Sequence, residues 1–376
     1  VVLFHEKPFA GINGSGKHNN WSIGTDTGLN FFYPGKNDPA RLLFVTGIAC
    51  LAHGLKQHNE LVRCCVATAG NDHRLGAQEA PPAIISLYPG TGFEAHVDSI
   101  IAGGPLLGYK AEKKLADPRA TAAQGAPCGV EDRNRTAPFP FCGNRFEFRA
   151  VGSSQNCSFP IAIVNTVMAS GMSALADTIA GGKSHRDAVA DMFKENRSVI
   201  FTGNGYSAEW PEEAKKRGLS NLNTTPLAAA TFSSAEAKDV FKEMGIFSEE
   251  ECDARQEVMY ENYNTVLTVE VQTMVQMVET AIIPACAKDL AKYKDAPSLA
   301  GDRESVYGSI HAETEKLKDI FSKKPHELAA EATYLCDTVK PQMAAVRSLV
   351  DKAESLMETG IYPYPTYEEL IYSHHS

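Results

Sequence analysis

The 376-residue chain lacks a basic surplus and a C-x-x-C cysteine pair. Its 36 Lys and Arg stand against 46 Asp and Glu, a formal net charge of -10. This balance argues against a dedicated binder of nucleic acids or anionic membranes. Nine cysteines without a C-x-x-C pair make a zinc ribbon a poor interpretation. We therefore expect a reduced intracellular protein.

The chain also lacks a recognisable signal peptide and an uninterrupted apolar run long enough to span a membrane. It begins at Val1, with no basic region followed by an apolar one. The most apolar stretch, residues 159–179, contains Asn165 and Asp177 and is predicted to be a buried helix. We expect a cytoplasmic location and no membrane partner, and a plastid location if the source is eukaryotic.

The pattern of apolar residues changes near residue 230. Before this point, the predicted elements are strands at 1–4, 83–88 and 145–151 and helices at 41–58 and 158–180. Residues 102–131 show no clear period and are predicted to form a surface loop. Beyond residue 230 the predicted elements are all helices, at 234–244, 249–293, 305–321 and 326–357. Pro284 and Pro341 are expected at helix breaks or in first turns. This second part is typical of an antiparallel bundle.

Residues 7–22, KPFAGINGSGKHNNWS, form the densest group of chemistry-bearing residues. The run GINGSGK is one residue short of a phosphate-binding P-loop, because His18 stands where Ser or Thr would hold magnesium. Its glycines would let backbone N–H groups approach an anion. A P-loop NTPase and an ordinary Gly/Asn turn are both open alternatives, although the residues after His18 begin a helix poorly.

Two further segments combine arginines with carboxylates. Residues 71–82, NDHRLGAQEAPP, are predicted to form a mobile lid or a plain surface turn. Residues 132–149, DRNRTAPFPFCGNRFEFR, place four arginines and Glu147 among aromatic residues. Alternation puts Arg145, Glu147 and Arg149 on one strand face. Guanidinium groups on one face repel one another unless anions lie between them, and the alternative is a solvated strand edge.

The three segments together contain a histidine, a carboxylate suited to a divalent ion, a lid carboxylate and several arginines suited to phosphate. This combination indicates ATP-dependent phosphoryl transfer to a carboxylate.

At these residues the sequence resembles the glutamine synthetase superfamily, and within it the type III enzymes. Lys7-Pro8 followed by NGSGKHNNWS matches the K-P…N-G-[SA]-G-x-H-x-[HN]-x-S signature, and RFEFR at 145–149 matches the R-x-E-x-R strand. Arg74…Glu79-Ala80-Pro81 is similar to the flap over the glutamate site, and Asn134-Arg135 to the N-R pair before that strand. The resemblance implies an α+β fold. Residues 1–230 would be the C-terminal part of the catalytic domain, an antiparallel sheet with helices, and residues 231–376 an α-helical C-terminal domain.

The resemblance also implies a glutamate–ammonia ligase that forms L-glutamine through γ-glutamyl phosphate and works as a ring-shaped homo-oligomer without nucleic-acid or membrane partners. Its substrates would be L-glutamate, ammonia and ATP, with Mg2+ or Mn2+ as the metal. The implied roles are His18 and Glu147 for metal binding; Asn13, Gly14, Arg74 and Arg149 for glutamate; Asn20, Ser22, Arg135 and Arg145 for ATP; and Glu79, Arg135 and Arg149 for catalysis. Glu79 would shield the γ-glutamyl phosphate from water.

The sequence departs from the family pattern in three places. The segment between Arg74 and Glu79 is one residue shorter than in the bacterial type I pattern. Pro140 stands where many relatives have a second arginine after the N-R pair, so the phosphate contacts would be partly rearranged. The family's other metal-binding glutamates and its ammonium-binding aspartate lie before the K-P motif, and this chain has six residues before Lys7. We expect the chain to be a C-terminal portion that is inactive by itself. The alternative is a fragment that retains only the fold and assembly surfaces.

Overall fold

The computed structural model of the chain describes residues 14–76, 80–109, 115–116, 126–127 and 136–372. Its contacts define two compact units, one ending at Asp253 and one beginning at Ala254. The division falls inside a single helix, Glu249–Met277. The predicted division at residue 230, between part of a catalytic domain and a helical C-terminal domain, stays a prediction.

The described part of the first unit consists mostly of helices, with three short two-stranded pairs. Its strands are β1 (Gly16–Trp21), β2 (Leu87–Tyr88), β3 (Leu115–Ala116), β4 (Ala126–Pro127), β5 (Phe139–Pro140) and β6 (Phe146–Gly152). Its helices are α1 (Asp38–Gln57), α2 (Asn59–Cys64), α3 (Ala69–Arg74), α4 (Thr91–Ile101), α5 (Ser158–Ala180), α6 (His185–Asn196), α7 (Trp210–Lys216), α8 (Thr225–Ala229) and α9 (Ala235–Glu243), with a 3-10 turn at Arg197–Val199. The pairs β1–β6 and β3–β4 are antiparallel, and β2–β5 is parallel.

The structure confirms the predicted helices 41–58 and 158–180 and places the predicted strand 145–151 in β6. The strand predicted at 83–88 is reduced to the two residues of β2. Ile84 and Ile85 are buried, but they lie before that strand. The segment predicted to be a lid begins in α3, where the side chain of Thr68 accepts a hydrogen bond from the Asn71 amide. That cap starts a helix in place of a surface turn.

Strand β1 is held by an aromatic core beneath it. The Trp21 ring packs against Phe32 and Phe139, with ring centroids 5.2 and 6.0 Å apart. Its Nε1 donates to Asn165 Oδ1 on α5 at 2.8 Å. Because the indole both buries apolar area and satisfies its donor, it fixes the end of β1 against the helices.

Helices α1 and α5 touch through their backbones. A Cβ atom on Gly54 would lie 2.0 Å from the Val167 carbonyl oxygen, and one on Gly171 would lie 2.1 Å from that of Cys50. Real Cβ atoms do not approach oxygen so closely. The two glycines therefore set the separation of these helices.

Two helical segments in the described part of the chain are long and apolar enough to cross a membrane by length and composition alone, Ser158–Ala180 and Glu249–Ala291. Buried core helices of ordinary globular proteins pass the same test. The first of them, α5, packs against α1 and buries Ile163, Val164 and Val167, as the sequence predicted for residues 159–179.

His58, at the junction of α1 and α2, should make the stability of the first unit pH-dependent. Its Nε2 lies 3.0 Å from Ser170 Oγ, and burial lowers its pKa from 6.5 to about 4. Between pH 4 and pH 6.5, His58 binds a proton in the unfolded chain but not in the folded chain. The free energy of unfolding should therefore fall by about 2.5 kcal/mol as pH drops from 6.5 to 4. Urea unfolding at several pH values across this range measures the fall in unfolding free energy. His58→Gln should make the fall smaller. If the unfolding free energy of that variant changed with pH as steeply as before, His58 would not be its cause.

The second unit is entirely helical over its described residues. It contains the rest of α10 (Glu249–Met277), then α11 (Ile283–Ala291), α12 (Arg303–Ser322), α13 (Leu328–Tyr334), α14 (Lys340–Leu356) and α15 (Tyr367–Tyr372), with π turns at Val278–Ile282 and Leu335–Val339 and a 3-10 turn at Pro297–Leu299. Pro284 and Pro341 lie in the first turns after the π turns, as expected. A π turn accommodates a proline that lacks an N–H group, so neither helix is interrupted.

A buried carboxylate ties three elements of this unit together. Asp289 on α11 is 0% exposed, and its Oδ2 accepts from Arg303 Nε at 3.0 Å and from the Tyr307 hydroxyl at 2.7 Å. Its Oδ1 accepts from the Glu358 amide beyond α14. A charge buried in this way is tolerated because its oxygens are hydrogen-bonded. Over its described residues the chain is mostly helical, and β1–β6 is the longest of its small antiparallel strand pairs.

Candidate functional site

A β-bulge in the β1–β6 pair determines which side chains share a face. Gly16 and Lys17 pair with Gly152 and Val151, but Asn19 pairs with Phe148, so β6 has one residue more than β1 between these pairs. Beyond the bulge, Asn20 lies opposite Glu147. A regular register would have placed Phe148 there. Because side chains alternate along a strand, the bulge puts Glu147 on the face of His18 and Asn20.

The centre of this face is a histidine–carboxylate–arginine group. His18 Nδ1 lies 3.2 Å from Glu147 Oε1, and Arg149 donates to Glu147 Oε2 at 2.9 Å. Glu147 and Arg149 are each 6% exposed, whereas the His18 side chain is 55% exposed. The solvated-edge alternative for this strand is therefore wrong, since its charged residues are buried and paired.

The surroundings of His18 favour its neutral form. Burial lowers its pKa most, and the positive charges of Arg149 and Arg74 lower it further against the opposing effect of Glu147. A neutral imidazole beside an ionised carboxylate is the form in which both residues bind a metal ion.

His18 and Glu147 therefore fit a divalent ion as two of its ligands. A carboxylate together with an imidazole suits Mn2+, and carboxylate and water oxygens suit Mg2+. Within the described residues, no group of three or more His, Cys, Asp or Glu side chains is arranged to hold a metal. The remaining ligands would have to come from elsewhere.

Two of the predicted nucleotide-binding residues meet at the rim of this face. Arg145 Nε donates to Asn20 Oδ1 at 2.7 Å, and its Nη1 donates to Asn144 Oδ1 at 3.1 Å. Asn20 is exposed, and Ser22, which follows β1, is exposed as well. The guanidinium of Arg145 is thus positioned by amides beside the His18–Glu147 pair, where it can attract an anion.

Arg74, predicted to bind glutamate, is buried against Gly16 on the face of β1 that also carries His18 and Asn20. It is 5% exposed, and its Nη2 donates to the Arg149 carbonyl at 2.8 Å. The guanidinium rests directly on Gly16, where a Cβ would come within 2.2 Å of Cζ. The absent side chain of Gly16 therefore makes the space that Arg74 occupies.

The structure does not test every predicted site residue. Asn13, Glu79 and Arg135 lie outside the described residues, and Gly14 is exposed just before β1. The P-loop alternative for GINGSGK is wrong in its geometry, because residues 16–21 form an antiparallel strand where that motif requires a loop followed by a helix.

Two residues near the site were missed by sequence reasoning. Cys142 Sγ lies 3.9 Å from Glu147 Oε2 and is half-buried. Asn71 is 0% exposed and accepts from Arg74 Nη1 at 3.3 Å. Both lie in segments noted for their charges, but neither residue is charged. The turn between β5 and β6 brings Cys142 to the site, and the start of α3 brings Asn71 there.

Comparison with known proteins shows similarity to glutamine synthetases. A sequence model of the glutamine synthetase C-terminal domain matches residues 186–296. The Type-3 glutamine synthetase of Dictyostelium discoideum is 36% identical over 404 residues, which cover 99% of this chain and 54% of that protein. The chain is thus similar to a glutamine synthetase over almost its whole length.

Two bacterial glutamine synthetases are similar over the same extent of the chain. The protein from Bacteroides fragilis (strain YCH46) is 32% identical and that from Butyrivibrio fibrisolvens is 36% identical, each over 99% of this chain. The matches cover 55% and 56% of those proteins. The chain thus spans about half the length of the glutamine synthetases that it matches.

Proposed function

We propose that this chain supplies part of the active site of a glutamate–ammonia ligase that makes L-glutamine from L-glutamate, ammonia and ATP. The observation that supports it best is the His18–Glu147–Arg149 group on the bulged β1–β6 pair, in a chain similar throughout to glutamine synthetases. The geometry suits stabilisation of negative charge beside a divalent ion, which is what transfer of a phosphoryl group to a carboxylate requires.

Each residue of the proposed site has a separate task. His18 and Glu147 would hold Mg2+ or Mn2+, which when bound supplies positive charge to the ATP phosphates. Arg145, with Asn20, Ser22 and Arg135, would bind the nucleotide. Arg149 would stabilise the charge of the carboxylate that attacks the γ-phosphate.

The substrate amino acid would lie between the strand pair and the flap. Asn13, Gly14, Arg74 and Arg149 would hold glutamate, and Glu79 would exclude water from the γ-glutamyl phosphate until ammonia attacks it. Activation by phosphate converts a poor acyl donor into a mixed anhydride. Excluding water matters because hydrolysis would waste the intermediate.

The same proposal covers the larger organisation of the protein. Residues 1–230 would be part of a catalytic domain with an antiparallel sheet and helices, and residues 231–376 a helical C-terminal domain. The complete protein would be a cytoplasmic ring of identical subunits, or a plastid one, with no nucleic-acid or membrane partner.

Glutamine formation by the complete protein and by the isolated chain tests the proposal. With ATP, Mg2+ or Mn2+, glutamate and 15N-ammonium, the complete protein should incorporate 15N into the glutamine amide. The chain alone should give less than about 1% of that rate, because removing charge-stabilising groups costs at least 100-fold. Absence of 15N-glutamine from the complete protein would reject the proposed function, and comparable turnover by the chain alone would reject its dependence on further residues.

A further inference from the structure

Asn71 is a buried junction between α3 and β6. Its Nδ2 donates to the carbonyls of Val66 and Ala150, both at 2.8 Å. Its Oδ1 accepts from Arg74 Nη1 at 3.3 Å. Both amide hydrogens and the carbonyl oxygen are thus engaged in a residue that is 0% exposed. Such a fully satisfied buried amide has one stable orientation.

The Arg74 guanidinium is confined on two further sides. It rests on the bare Cα of Gly16 in β1, and its Nη groups donate to the carbonyls of Arg149 and Val151 in β6. Those carbonyls flank Ala150, whose own carbonyl accepts from Asn71. Three consecutive carbonyls at the bulged end of β6 are therefore held by two side chains of α3.

From this arrangement we propose that Asn71 is a positioning residue, which orients the Arg74 guanidinium and through it sets the affinity of the site for the carboxylate of the amino-acid substrate. The inference rests on the proposed function, in which Arg74 binds glutamate. A guanidinium on a long flexible side chain loses affinity for a carboxylate when its orientation is not fixed in advance. Asn71 supplies that orientation from the same helix.

The experiment separates positioning from stability by comparing three variants of the complete protein. Asn71→Ala removes all three hydrogen bonds. Asn71→Asp retains an acceptor for Arg74 but loses the donors to Val66 and Ala150. Asn196→Ala is the matched control, since Asn196 is also 0% exposed and is hydrogen-bonded to Gln57, His53 and Met192, away from β1 and β6.

The expected result is a split between kinetic constants and stability. All three variants should have a lower Tm, because each leaves buried polar groups without partners. The KM for glutamate should rise by about 10- to 100-fold in Asn71→Ala, with kcat changed less than about 3-fold, and should largely recover in Asn71→Asp. It should stay unchanged in Asn196→Ala. Should Asn71→Ala fail to fold, Asn71→Ser, which lacks the amide oxygen, takes its place with the same expected rise.

Two outcomes would overturn the inference while leaving the proposed function intact. One is an unchanged KM for glutamate in Asn71→Ala, or in Asn71→Ser where that replaces it. The other is an Asn71→Asp variant whose KM remains as high as that of the alanine or serine variant, since orientation would then not act through Arg74. If the unmodified complete protein forms no glutamine, the proposed function itself has failed.

Discussion

Replacing Glu147 by alanine in the complete protein is expected to lower Mg2+- or Mn2+-dependent glutamine formation by at least about 100-fold. The change removes one of two candidate metal ligands, and it also removes the acceptor of the buried Arg149 guanidinium. His18→Ala should have a similar effect through the metal alone. Rates measured as a function of Mn2+ concentration would show whether added metal restores activity.

The matched control is Glu94→Gln. Glu94 is another partly buried glutamate held by an arginine, with its Oε1 2.6 Å from Arg197 Nη2, but it lies on α4 outside the β1–β6 face. Its loss should leave the rate within about 2-fold, because a partly exposed ion pair contributes little. Unchanged metal dependence in either His18→Ala or Glu147→Ala would refute the ligand assignment for that residue.

Replacing Gly171 by alanine should destabilise the first unit more than an ordinary substitution does. The added methyl would overlap the Cys50 carbonyl at 2.1 Å, and backbone cannot rotate away as a side chain can. Separating α1 from α5 loses contact along their interface, at a cost of about 3 kcal/mol or more. The corresponding fall in Tm is about 6–12 °C. Gly54→Ala, against the Val167 carbonyl, should behave in the same way.

Gly308→Ala provides the comparison for these two variants. Gly308 is exposed on α12, and nothing lies within 4 Å of the position that its Cβ would take. Alanine there should raise stability by about 0.5–1 kcal/mol through helix propensity alone. If Gly171→Ala had the same Tm as Gly308→Ala, or a higher Tm than the unmodified protein, α1 and α5 could separate without loss of stability.

Local patterns were sufficient to predict the long helices, whereas the chemistry of the site stays a prediction. Period and capping predict α1, α5 and the helices of the second unit, because each has an apolar face of its own. For the opposite reason, the predicted strand 83–88 was too long and the helix that begins the predicted lid was not foreseen. The role of that segment as a lid stays a prediction. Ile84 and Ile85 are apolar and buried without a ladder partner, and the helix that contains Arg74 begins from a Thr68 cap. Such features depend on what lies opposite in the fold, which no short window contains.

The sequence by itself was enough to predict that His18, Glu147 and Arg149 belong together, and the structure brings these three side chains together. It did not determine which face of β6 they share. That was decided by a single additional residue in β6 between the Lys17 and Asn19 pairs, which turns Glu147 and not Phe148 toward His18. Burial of Arg74 on Gly16 was likewise a tertiary result. A one-residue change of register turns every later side chain of the strand to the opposite face. The packing of both strands against the helices selects the register that is observed.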